Sequence, residues 1–115
     1  MTVSTDCDVN YNYNQGCGTK DPEPISYGRG FNLIGGGYYA LARSKKDGIK
    51  VWFWPRLGVV PEDVECDKGT VDPGKWGVPV AFFPTGDNCQ YEKHFDAHAI
   101  IFDLTFCVRK LSPFP

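Results

Sequence analysis

Apolar positions along this chain come in short bursts and not in helical stripes. Phe31 to Ile34, Tyr38 to Ala42 and Ile49 to Trp54 are aromatic or β-branched runs cut by glycine, which predicts strands joined by tight turns, with Lys46-Asp47-Gly48 as the hairpin signal. In Gly48-Ile-Lys-Val-Trp-Phe-Trp54, alternation puts Ile49, Val51 and Phe53 on one face and Lys50, Trp52 and Trp54 on the other. A short strand is expected within Val78 to Phe83, stopped by Pro84, then one or two helical turns within Tyr91 to His98. His98 to Cys107 is the most strand-like stretch: Ile100, Phe102, Leu104 and Phe106 form an apolar face against Ile101, Asp103, Thr105 and Cys107. Residues 1–24 are rich in Asn, Gly and Pro without alternation and read as loop. Leu57 to Val78 reads as a loop of about twenty residues, a length that in a compact domain is usually functional.

Composition narrows this picture. The 115 residues suit one domain, and 13 Gly and 9 Pro leave no uninterrupted amphipathic run of helical length, which excludes a helix bundle, a coiled coil or a membrane-spanning helix. A formal charge of −2 without a basic run argues against nucleic acid or an anionic membrane as partner. Five cysteines point to an oxidising compartment, although the chain opens without a basic start and apolar stretch of signal-peptide type. Gly35-Gly36-Gly37 reads as a turn needing positive φ and not as a phosphate cradle.

The aromatic supply is large, with 8 Phe, 6 Tyr and 3 Trp. Ile49, Val51 and Phe53 suffice for a core, so two tryptophans on the opposite face need a reason. Two readings stand: a second buried layer of a sandwich, or a stacking platform for sugar rings. Candidate carboxylate pairs are Asp6/Asp8, Asp21/Glu23 and the trio Asp63/Glu65/Asp67, all in loops and best read as solvated acids; the trio also departs from a calcium loop, having Gly74 where glutamate is required. His94 and His98, with Cys89 and Cys107 nearby, have weak zinc spacing, and surface or capping histidines are the better reading, so no metal is expected. No Gly-x-Ser-x-Gly, Walker loop or dinucleotide fingerprint occurs, and no cofactor is expected.

Several segments are recognisable by wording and order: Cys7-Asp-Val-Asn, Gly16-Cys-Gly18, Ser26-Tyr-Gly-Arg-Gly-Phe-Asn32, Gly35-Gly-Gly-Tyr-Tyr-Ala40, Ile49-Lys-Val-Trp-Phe-Trp-Pro-Arg56, Trp76-Gly-Val-Pro-Val-Ala81 and Ile100-Ile-Phe-Asp-Leu-Thr-Phe-Cys107. Over residues 3–107 the chain resembles the C-terminal half of fungal endo-1,3(4)-β-glucanases of glycoside hydrolase family 16. The resemblance implies an all-β, concanavalin-like jelly-roll sandwich of which this is one part, secretion, and a β-glucan partner of laminarin type. It also implies disulfides Cys7–Cys17 and Cys89–Cys107 with Cys66 unpaired. The organisation expected is one partial domain over 1–115, with a disulfide-closed loop region over 1–24, sandwich strands over 25–107 and a divergent tail over 108–115.

Three departures from the family shape the functional expectation. Its catalytic run Glu-x-Asp-x-x-Glu does not occur, so this chain alone is expected to be inactive and no catalytic residue is assigned. Ala42 stands where relatives carry Glu, and Val108 to Pro115 replace Gly-Asp-Trp-Ala-Gly, an ending that reads as a truncation or a shifted frame. The binding site expected is Trp54 and Trp52 stacking on glucose rings, Arg56 hydrogen-bonding to hydroxyls, and Tyr39 and Trp76 bordering the cleft. A stand-alone glycan-binding or cell-wall interaction protein and an inert truncated product are the alternatives. A lone part of a sandwich exposes strand edges and inner face, so association with a complementary N-terminal half or with itself is expected.

Overall fold

The computed structural model describes residues 1–66 and 69–101. Among them an antiparallel sheet has the order β1-β2-β3, with β1 at Gly37–Ser44, β2 at Gly48–Pro55 and β3 at Ala81–Phe83. The hairpin signal acts as read. Ser44 Oγ donates to Asp47 Oδ2 at 3.0 Å and accepts the Asp47 N–H at 2.8 Å, and Gly48 leaves the turn at φ +73°. A Cβ there would stand 2.5 Å from the Phe83 carbonyl oxygen, so the turn admits only glycine.

Register decides the faces. Tyr38 pairs with Trp54, Tyr39 with Phe53, Ala40 with Trp52 and Leu41 with Val51, while Lys50 pairs with Phe82 and Val51 with Ala81. Directly opposed residues share a face, so Tyr38, Trp54, Trp52, Lys50 and Phe82 lie on one side and Tyr39, Phe53, Leu41, Val51 and Ala81 on the other. The alternation read from the sequence for β2 is therefore the observed one.

The expected strand over Phe31 to Ile34 is instead part of a helix, α1, at Gly28–Leu33. An apolar run of this length cannot separate strand from helix by period, and Phe31 and Ile34, three apart, share a helical face. Phe31 packs on Phe53 and Tyr39 at ring-centroid distances of 6.2 and 6.4 Å. The helix ends where Gly35 and Gly36 take φ of +76° and +90°, with Gly36 N–H donating to Phe31 O at 2.9 Å. Gly37 is there for space: a Cβ would meet Trp54 O at 2.5 Å and the Phe53 ring at 2.7 Å.

The long loop carries one helical turn, α2, at Glu62–Glu65 and a 3-10 turn at Pro73–Lys75. The helix expected after Gln90 forms as α3, Tyr91–His94. Arg43 docks this region onto β1, its guanidinium 5.7 Å above Tyr91 and 5.6 Å above Phe95, donating to Asp96 O at 3.0 Å. His98 to Ile101 are not in a strand, and the remainder of the strand expected to Cys107 lies outside the described residues. At the other end a Cys7–Cys17 disulfide closes the polar loop, beside backbone bonds Val3 N–H to Gly18 O and Lys20 N–H to Met1 O, both 2.8 Å. Cys66 is an exposed thiol; Cys89 has no disulfide partner among the described residues, and its expected partner Cys107 lies outside them.

Candidate functional site

The hydrophobic residues below the surface among those described are Trp52 (2% exposed), Phe53 (8%) and Trp76 (8%). Two of these are predicted site residues, and what buries them is the Leu57–Val78 loop, which returns across the Trp52/Trp54 face. The Trp76 indole meets both rings edge-on, 5.1 Å from Trp52 at 87° and 5.7 Å from Trp54 at 85°. Such edge-to-face pairs contribute about 0.5–1.5 kcal/mol each beyond area burial. Trp52 Nε1–H donates to Gly77 O at 3.1 Å, so its one polar group is satisfied under the cover.

The expected open bench of two indoles is thus one covered ring and one half-buried ring, Trp54. For Trp52 the buried-layer reading describes what is seen. Trp54 pairs in register with Tyr38, and the exposed Arg56 bonds Gly35 O through Nε at 2.9 Å, reaches the Tyr38 hydroxyl at 3.4 Å and lies 5.0 Å above the Tyr38 ring. Trp54, Tyr38 and Arg56 therefore form one aromatic and cationic patch at the open end of the hairpin.

Tyr39 is not part of that patch. Alternation sends it to the opposite face, where its ring lies 4.8 Å from Phe53 and its hydroxyl donates to the Ser26 carbonyl. Partial burial, reinforced by the negative charge of Asp21, pushes its phenol up, against the effect of the Ser26 bond. A groove of about 530 Å³ runs along this second face, with Tyr39, Val51, Ala81 and Phe83 in its wall.

Two residues were missed from sequence. Tyr38 could have been found by counting back from the Lys46-Asp47-Gly48 turn, which sets it opposite Trp54. Asp63, placed among solvated loop acids, holds Trp76: its two carboxylate oxygens accept the indole N–H at 3.0 and 3.1 Å, and one also accepts the Asp72 N–H at 2.7 Å. The Asp72 N–H, the indole N–H and the Lys75 charge together hold the Asp63 carboxyl below the usual carboxylate range, against partial desolvation. Asp72 in turn caps the 3-10 turn, accepting the Gly74 N–H at 3.1 Å, and pairs with Lys75 at 3.1 Å. No signal in an acidic, proline-bearing loop announces such a contact. Among the described residues no group of three His, Cys, Asp or Glu side chains is placed to hold a metal ion.

A family model described as the XgeA-like, catalytic GH16 domain matches residues 1–111. A probable glycosidase of Schizosaccharomyces pombe is 41% identical over 107 residues, 91% of this chain and 24% of that protein. An endo-1,3(4)-β-glucanase of Arthroderma benhamiae is 38% identical over 109 residues, covering 91% of this chain and 23% of its own. Laminarinase 16A of Phanerochaete chrysosporium, solved with 6-O-glucosyl-laminaritriose in donor and acceptor sites, superposes with a TM-score of 0.73 at 45% identity, covering 83% of this chain and 32% of that one. The chain thus spans about a quarter of these curated relatives and a third of the solved laminarinase, a smaller share than the half its motifs lead one to expect. The all-β fold expected from the sequence, part of a jelly-roll sandwich, is the fold of this relative.

Proposed function

The chain belongs to glycoside hydrolase family 16, and from that membership we propose that it supplies a β-glucan-contacting part of an endo-1,3(4)-β-glucanase jelly roll. The observation that carries the reading is the Trp54 ring, half-buried and held from one side by Trp76, with its register partner Tyr38 under the exposed Arg56 guanidinium. A pyranose presents apolar C–H faces and a rim of hydroxyls. An indole that is fixed and open on one side suits the faces, and a guanidinium with free N–H groups suits the rim. Trp76, packed edge-on against both Trp52 and Trp54, acts as the support of Trp54, and Tyr38 shares its side.

Retaining hydrolysis of a glycoside needs two carboxylates about 5–5.5 Å apart. The family's Glu-x-Asp-x-x-Glu does not occur in these 115 residues, so binding, and not bond cleavage, is the activity we assign to them. A polymeric glucan and the Cys7–Cys17 disulfide both fit action outside the cell. The second face, with Tyr39 and Leu41 uncovered, we take as the seat of the remaining strands of the domain.

Sedimentation with insoluble β-1,3-glucan tests the assignment. Wild-type chain is expected to partition into the pellet, Trp54→Ala to bind about tenfold more weakly or worse, and Arg56→Ala to lose less. Equal retention of all three, or none of the wild type, would remove Trp54 from the role. Reducing sugar released from laminarin by the pure chain would overturn the assignment of binding without cleavage.

A further inference from the structure

Trp54 can order a sugar ring only as well as it is itself ordered. One side of its ring is packed by Trp76, whose indole stands at 85° to it, and Trp76 is carried by a loop of some twenty residues. Besides the Trp52 Nε1–H bond to Gly77 O, the loop is tied through one carboxylate. Asp63, on α2, accepts the Trp76 N–H with both carboxylate oxygens and the Asp72 N–H with one of them, so a single carboxylate joins α2, the 3-10 turn and the indole.

We infer that Asp63 is a positioning residue for β-glucan, acting through Trp76 to hold the Trp54 ring in its binding orientation. This rests on the reading of Trp54 given above. Asp63 is the acceptor of the Trp76 N–H among the described residues, and an indole only 8% exposed that loses it gains by turning its nitrogen toward water. The edge-to-face contacts with Trp52 and Trp54 go with it. Asp63 touches no sugar; it spares the ligand the entropy of ordering a loosened aromatic. An amide with its carbonyl oxygen in the Oδ2 place keeps the Asp72 N–H and one indole bond but sets its NH2 group in the Oδ1 place against the indole N–H, so asparagine should restore the function only in part.

The test combines near-UV circular dichroism, which reads how rigidly the three indoles are coupled, with laminarin affinity by isothermal calorimetry, on the full chain. Asp63→Ala should keep the far-UV spectrum, lose most of the tryptophan near-UV bands, and bind about three- to tenfold more weakly, the cost of immobilising one freed side chain on binding. Asp63→Asn should fall between it and wild type in both readouts. In a Trp76→Phe background, where the indole N–H is gone, Asp63→Ala should have no further effect on affinity. Should Asp63→Ala unfold, the same coupling is read from Asp63→Asn and Trp76→Phe. Unchanged near-UV bands in Asp63→Ala, or additive losses in the double variant, would overturn the proposal. A wild type that fails to bind laminarin sinks the reading of Trp54, while the near-UV comparison still decides whether Asp63 orders the indoles.

Discussion

On one face of the β1–β2 hairpin, Trp52 lies under an indole that the chain itself brings back across the sheet; on the other, Tyr39 and Leu41 stand 54% and 65% exposed. Both faces are built from the same alternating strands and both are apolar. The difference is that one has a loop long enough to return, a ring to pack and an acceptor to hold that ring, whereas the other is met by α1, which covers Phe53 through Phe31, and by the segment before it, which reaches Tyr39 through the Ser26 carbonyl and leaves a groove. Apolar surface alone therefore does not decide which face a chain covers for itself. In a chain that spans 32% of the laminarinase it superposes on, we take the uncovered face to be the one the rest of the sandwich meets.

The sharpest way to break this contrast is to remove the cover. Trp76→Ala should cost about 3–5 kcal/mol, a large part of the stability of a small domain, and abolish cooperative urea unfolding followed by tryptophan emission. A transition midpoint like that of the wild type would mean that the loop contributes nothing to the sheet. Next comes the hairpin on which both faces depend. Gly48→Val, forced to adopt φ +73° with its Cβ 2.5 Å from Phe83 O, should lose about 1–3 kcal/mol by thermal melting.

Acid should act on one face alone. The folded carboxyl of Asp63 lies below its unfolded value, so its contribution is fully present above the unfolded pKa, about 3.9, and is lost as pH falls through the lower folded one. Lys75, Asp72 and the acids of α2 share its surroundings, so the assignment needs the variant: in Asp63→Asn the low-pH change in tryptophan emission should shrink. The smallest effect belongs to the bare face. Leu41→Lys should change monomer stability by no more than about 0.5 kcal/mol while lowering self-association in sedimentation velocity. A large destabilisation there would show that Leu41 is already covered.

What the sequence disclosed divides along physical lines. The β1–β2 hairpin, its turn glycine and the face assignment of Trp52 and Trp54 were legible because they depend on period two and on local turn chemistry. Family membership was legible from motif order. α1 was not, because the Phe31–Ile34 run fits either period. The burial of Trp52 was open between two readings because it depends on a contact 24 residues downstream in sequence, with Trp76. Tyr39 is expected at the border of the cleft, and register with Phe53 sends it to the other face. Asp63 was passed over since a carboxylate in a loop looks solvated until something places an indole N–H over it.

The central claim is that Trp54, steadied by Trp76, faces β-glucan. Titrating laminarin into the chain while following tryptophan emission tests it most directly. A saturable change that disappears in Trp54→Ala but survives in Leu41→Lys is the result expected; emission that stays flat to saturating glucan, or responds equally in Trp54→Ala, would contradict the account.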